Sequence, residues 1–259
     1  MNVISFNANG IRSAARKGFY DWLLAQEADF VCVQETRAQF EQLTVDELYF
    51  PKDFYCDYYC AVKKGYSGVA IYARKPPQHV KKGLGFSVCD EEGRYIQFDY
   101  PGLSVISIYL PSGTSGEGRQ VIKYDFLARF AEHLRVLKSE GRELIICGDY
   151  NIAHKQIDIK NWRGNQKNSG FLPEERMWMD ELFGSLGFVD AFRQKNQEAE
   201  QYTWWSNRGQ AWANNVGWRI DYQVVTPGLL DSVAAVDIYR DTRFSDHAPL
   251  IIKYEGISI

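Results

Sequence analysis

Apolar positions along this chain fall into two rhythms. Short runs, in which nearly every residue is apolar or small, recur at Val3–Asn7, Phe30–Gln34, Gly68–Arg74, Tyr95–Tyr100, Leu103–Leu110, Leu144–Gly148, Ile220–Val225, Val233–Tyr239 and Leu250–Tyr254. Runs of this length bounded by turn residues read as buried strands. Asp57–Val62 adds a further strand, and Lys64-Gly65, Lys75-Pro76-Pro77 and Pro101-Gly102 mark turns between neighbours. The second rhythm is helical. Ser13 caps a predicted helix to about Ala25 with Phe19, Trp22 and Leu23 on one face. Arg119 to Ser139 places Ile122, Phe126, Phe130, Leu134 and Leu137 on one side, with Gly141 positioned to stop it. Pro173 followed by Glu174 and Glu175 starts a helix that runs to Gly187, because proline suits the first turn and acids suit the N-terminal dipole.

Hairpins interleaved with amphipathic helices predict an α/β fold with two mixed sheets packed face to face and helices outside. No low-complexity segment interrupts residues 1–259, so one domain is expected. The irregular stretch from Ile152 to Leu172 is too long for an idle connection and is a candidate functional loop.

Polar residues collect where the strands stop. Asn7 and Asn9 follow the first, Glu35 the second, Tyr109 another, and Asp149 and Asn151 the strand after the long helix. Asp221, Asp246 and His247 join them near the C-terminus. Any one of these is explained by a turn or a solvated carboxylate; together they describe a pocket rich in oxygen and poor in sulfur. That chemistry suits a hard cation, Mg²⁺ or Mn²⁺, bound through one or two carboxylates plus substrate phosphate. A carboxylate able to orient His247 adds acid–base capacity.

Composition bounds this picture. With 45% hydrophobic and 15% aromatic residues the chain can bury a sizeable core. No apolar run approaches a membrane span, and Met1 leads directly into a strand, so a cytoplasmic protein is expected. Five cysteines without a C-x-x-C pair fit reduced, buried thiols rather than zinc. The net charge of −3 does not announce a nucleic-acid binder, yet Lys155, Lys160, Arg163, Lys167 and Arg176 crowd one segment, with other basic positions at Arg12, Arg16, Lys17, Arg37, Lys63, Lys64, Lys81 and Lys82.

The segments FNANG, QET, GYSGVAIYAR, IYLPSG, GDYN, NQKNSGFLPEER, YTWW, GWRIDY and SDHAP together resemble the exonuclease III class of AP endonucleases, within the endonuclease/exonuclease/phosphatase superfamily. The likeness runs from Met1 to the last strand. SDH and GDYN are shared by the wider superfamily, whereas KNSGF, YTWW and GWRIDY point to the DNA-repair branch. It implies a four-layered α/β/β/α sandwich and Mg²⁺-dependent cleavage 5′ to abasic sites in double-stranded DNA. The alternative within the family is a chain that is mainly a 3′→5′ exonuclease. A lipid or inositol phosphate phosphatase is the more distant alternative, and that branch lacks the tryptophan pocket and the lysine- and asparagine-rich loop.

Carried to this chain, the resemblance makes Glu35 the main metal ligand, with Asn7 and Asn9 nearby and Asp246 a second candidate ligand. Asn9 stands where some relatives have aspartate. Asp149 would activate or orient the attacking water and Asn151 position it. His247, oriented by Asp221, would meet the scissile phosphate together with Tyr109. Trp204 and Trp218 would wall the pocket for a flipped-out abasic sugar, and Asn165, Lys167, Asn168 and Arg37 would hold the DNA. A monomer with no membrane contact is expected.

Overall fold

The computed structural model describes residues 1–257 and 259. Its strands are β1 (Asn2–Asn7), β2 (Phe30–Gln34), β3 (Tyr55–Tyr59), β4 (Val69–Ala73), β5 (His79–Lys82), β6 (Tyr95–Tyr100), β7 (Leu103–Tyr109), β8 (Glu143–Asp149), β9 (Val189–Asp190), β10 (Trp204–Trp205), β11 (Gly217–Trp218), β12 (Asp221–Val225), β13 (Val233–Ile238) and β14 (Leu250–Tyr254). They form two six-stranded sheets, ordered β13-β14-β1-β2-β4-β3 and β5-β6-β7-β8-β12-β9, and a small β10-β11 ribbon. Each large sheet is mixed. β1 and β2 run parallel in the first, β7 and β8 in the second, and the remaining neighbours are antiparallel.

The alternation of side chains along a strand explains the layering. In β2, Phe30 and Cys32 face the second sheet and join Ile96, Phe98, Val105, Ile145 and Cys147 in the central core. Val31 and Val33 face the other way and pack under Ile11, Phe19 and Leu23. In the second sheet Ile106, Ile108, Leu144 and Ile146 face outward onto Phe126, Phe130, Leu134 and Met179. Both faces of both sheets are therefore covered, giving the expected four layers of helix, sheet, sheet and helix. That is why the central strands read as continuous apolar runs.

The helices depart from expectation in three places. The stretch expected as one helix from Ser13 is two, Ile11–Arg16 and Phe19–Leu24, broken at Gly18 in the left-handed region with φ 85°. The long helix, Glu117–Ser139, buries Lys123 on its apolar side, a charged residue the sequence pattern did not assign there. The Pro173 helix ends at Phe183, four residues short of the Gly187 stop. Gln34 Nε2 donates to Ser107 Oγ at 3.1 Å, tying the sheets together at the β2 terminus. The C-terminal ends of β1, β2, β7 and β8 thus lie along one edge.

Candidate active site

Two parallel pairs end side by side, so four strand termini deliver side chains to one place. Asn7 from β1 donates through Nδ2 to Glu35 Oε1 at 3.0 Å and to Asp149 Oδ2 at 2.8 Å, linking the first sheet to the second. Its Oδ1 accepts the backbone N–H of Asn9 at 2.9 Å. Both Asn7 amide hydrogens are thus directed at carboxylates, and its oxygen at the turn that carries Asn9. Asn9 likewise donates, through Nδ2 to Asp246 Oδ1 at 2.8 Å. The other oxygen of Asp246 accepts from Trp204 Nε1 at 3.2 Å.

Register places the next pair. Asp221 stands directly across from Asp149 on adjacent antiparallel strands. Asp221 Oδ2 bonds His247 Nδ1 at 2.8 Å, and His247 Nε2 lies 3.9 Å from Asp149 Oδ2. Glu35, Asp149 and His247 offer ligand atoms that all lie within 4.8 Å of one another, and all three are buried. Asn151 supports this centre from the turn after β8. Its N–H donates to Asp149 Oδ1 at 2.8 Å, and its Nδ2 to Leu110 O at 3.0 Å.

Backbone strain gathers at the same spot. Asn9, Glu35, Arg37, Ser67 and Asn151 all have φ between 44° and 53°. Asparagine tolerates this left-handed region; glutamate and arginine enter it at a cost of roughly 1–3 kcal/mol each, which the surrounding structure must offset. The turn carrying Glu35 is held rigidly. Its own carbonyl accepts from Gly10 N at 2.8 Å, and the N–H groups of Thr36 and Arg37 donate to Gly68 O at 3.1 Å and Ser67 O at 2.8 Å.

Burial and charge set the protonation states. Burial, then the neighbouring Asp221 carboxylate, push Asp149 up to about 8, with His247 opposing and Glu35 adding to the rise. For His247, burial works against the charged form. The Asp221 carboxylate, by its charge and its hydrogen bond, more than offsets this and carries the imidazole up to about 10. His247 is thus a cation at neutral pH. Burial also lifts the Tyr109 hydroxyl well above its usual range, with Glu35 contributing. Burial would raise Asp246, but His247 and the donors Asn9 and Trp204 hold it below its ordinary value.

These groups open onto a cleft of about 920 Å³. Glu35, Tyr109, Asp149, Asn151 and His247 line one part of it. Trp204 and Trp218 line another, their rings edge-to-face at 6.1 Å. Asn165, Lys167, Asn168 and Arg37 reach its rim, while Asp221 lies behind His247 and Asn7 behind Glu35.

Sequence reasoning passed over Tyr66, Arg94 and Arg119, which also line the cleft. Arg94 is fully buried, its guanidinium 4.5 Å over the Tyr109 ring while Nη1 donates to Tyr109 O at 2.8 Å. It also missed Lys123, whose Nζ donates to Asn151 O at 2.9 Å and pairs with buried Glu175. A lysine in step with Phe126 and Phe130 along the long helix was the available signal. Glu175 Oε2 in turn accepts the N–H groups of Gly170 at 2.6 Å and Leu172 at 3.0 Å, fixing the end of the irregular loop against Trp218.

The donor set fits a hard divalent cation. Glu35 and Asp149 are buried carboxylates at the meeting point of the strand ends, and the cysteines lie elsewhere, none of them on the cleft wall. Among the described residues no helix is long and apolar enough to cross a membrane.

Comparison with known proteins agrees with this geometry. Residues 4–247 match the model of the Endonuclease/Exonuclease/phosphatase family. The chain is 36% identical over 252 residues to an exodeoxyribonuclease of Bacillus subtilis (strain 168), covering 96% of this chain and 98% of that one. It superposes on an AP endonuclease from Archaeoglobus fulgidus with a TM-score of 0.88 at 27% identity, covering 98% and 99% of the two chains. A 3′ phosphatase from Neisseria, solved bound to a product DNA hairpin, gives a TM-score of 0.88 at 26% identity over 98% of this chain and 99% of that one. The chain belongs to the endonuclease/exonuclease/phosphatase family, in its exonuclease III class of AP endonucleases.

Proposed function

We propose that this chain hydrolyses the phosphodiester 5′ to abasic sites in double-stranded DNA, leaving a 3′-hydroxyl, and removes nucleotides from 3′ ends as a second activity. The observation that carries the reading is one cleft holding both the Glu35–Asp149–His247 centre and the Trp204–Trp218 pair. A sugar without a base has no stacking or pairing partner, so turning it out of the duplex toward the tryptophans costs less than extruding an intact nucleotide.

Glu35, with Asp149 beside it and Asp246 further along the cleft, would hold the divalent cation, Mg²⁺ in the first instance. The cation would supply Lewis acidity and charge neutralisation at the phosphate. Asp149, which the cation beside it would keep ionised, would accept a proton from the attacking water, its carboxylate held in orientation by Asn151 and Asn7. His247 presents its Nε2 proton to a non-bridging phosphate oxygen, and Asp221 keeps it charged and aimed. Tyr109, neutral at working pH, can donate to the same phosphate. Lys167, Asn165 and Asn168 offer an ammonium and amide donors to the backbone alongside.

Two end-labelled duplexes test this reading, one with an abasic analogue and one with an intact recessed 3′ end. Incision on the 5′ side of the analogue with Mg²⁺, abolished by EDTA, is the expected result. Shortening of the intact end without incision at the analogue would make the chain an exonuclease instead.

A further inference from the structure

Glu35 is already in an ion pair. Its Oε1 accepts from Asn7 at 3.0 Å, and its Oε2 accepts from Arg37 Nε at 2.7 Å and is paired with Nη2 as well. The pairing is built into the backbone. Glu35 and Arg37 flank Thr36 with φ of 50° and 48°, and the pinned turn holds both side chains on the same side. The two ends differ in access, since the Arg37 side chain is 44% exposed and that of Glu35 only 9%.

Arg37 also borders a second hollow, of about 360 Å³, which it shares with Gly10, Arg12, Ser13, Arg16 and Gly65. Among the described residues no carboxylate lines it, so three guanidiniums face a space without a counter-charge. An anion there would give Arg37 an alternative partner. A cation at Glu35 has the opposite effect, because it competes for Oε2 and repels the guanidinium across a few ångströms of poorly screened space.

We propose that Arg37 couples cation binding to DNA binding. Alone, the protein keeps Arg37 on Glu35 and its cation affinity is held down. A backbone phosphate of the duplex entering the arginine-lined hollow draws Arg37 away and frees Glu35. By linkage, a bound cation strengthens the phosphate contact by the same factor, about 5- to 150-fold for couplings of ordinary size. The inference rests on the reading that Glu35 holds the cation.

Mn²⁺ titration followed by electron paramagnetic resonance tests it without reference to activity. The protein is titrated alone and with a short duplex whose 3′ ends carry phosphorothioate caps, after subtraction of Mn²⁺ taken up by the duplex itself. The wild type should bind Mn²⁺ several-fold more tightly with duplex than without. Arg37→Gln should bind Mn²⁺ about tenfold more tightly than wild type in the absence of duplex, and the duplex should then add little. A double variant, Arg12→Gln with Arg16→Gln, should keep the wild-type affinity without duplex and lose the enhancement. Arg37→Gln binding Mn²⁺ no better than wild type, or keeping the full duplex enhancement, overturns the proposal. Glu35→Gln checks the underlying reading separately: if it retains the Mn²⁺ site, the assignment of Glu35 fails whatever Arg37 does.

Discussion

Asp221 meets His247 through one 2.8 Å hydrogen bond and Asp149 through strand register, so a single carboxylate shifts the titration of two groups on the cleft wall. Replacing it with asparagine keeps the size and removes the charge that favours imidazolium. His247 should then titrate lower, and single-turnover incision at neutral pH should slow by about 10²–10³, the usual cost of losing a positioned electrostatic group. His247→Ala should cost at least as much, and the double variant little more, because groups acting as a unit are not additive. Strictly multiplicative losses would show that the two residues act independently. Stability follows from the same shifts. The folded protein holds a proton on Asp149 from its ordinary value of 3.8 up to about 8, and on His247 from 6.5 up to about 10. In both windows the unfolded chain binds fewer protons, so stability falls as pH rises. For His247 the contribution is fully present below its unfolded value and is lost through about 10. In EDTA, the melting temperature of the wild type should therefore drop more between about pH 5 and 8 than that of Asp149→Asn, and a divalent cation should flatten the difference. Parallel curves for the two proteins would refute this account of Asp149.

Between elements, the buried pair Lys123–Glu175 joins the long helix, the Pro173 helix and the Asn151 turn. Lys123→Met leaves Glu175 buried and uncompensated, which should cost about 3–5 kcal/mol in denaturant unfolding. A loss under about 1 kcal/mol would mean that the Glu175 carboxylate finds enough partners in the Gly170 and Leu172 N–H groups together with Gln120 and Ser169. The same elements show what a sequence makes legible. Strands β2, β6 and β14 lie where the apolar runs placed them, because turn residues bound each run on both sides. The break at Gly18 was hidden because Phe19, Trp22 and Leu23 keep helical spacing beyond it. Strands β9, β10 and β11 are two residues each, too short to show a period. In the site, Glu35, Asp149, Asp221 and His247 were readable as polar residues at strand ends. Arg94 was not, since its place over Tyr109 depends on how β6 and β7 pair. The donor role of Asn7 was equally hidden, being fixed by contacts to residues 2, 28 and 142 positions away.

At the scale of the molecule, two mixed sheets put the strand ends that carry the candidate site on one edge, and the charge there runs against the net value of −3. Arg37, Arg119, Lys167 and Arg208 border the cleft, surrounding the carboxylates at its floor. An acidic protein can therefore present a local basic rim to a polyanion, and its net charge says little about whether it binds DNA. Each phosphate such a rim neutralises releases condensed counterions from the duplex, so affinity should fall linearly with salt on logarithmic axes. Lys167 is the informative residue. It is exposed, forms no ion pair among the described residues, and sits at the rim beside Asn165 and Asn168. If it meets one phosphate, Lys167→Ala should reduce the magnitude of the salt slope by about one unit and weaken binding uniformly across duplex sequences. Binding measured by fluorescence anisotropy, with Ca²⁺ in place of Mg²⁺ over a series of salt concentrations, gives both quantities. An unchanged slope would return Lys167 to the solvated surface and leave the arginines of the cleft as the DNA contacts.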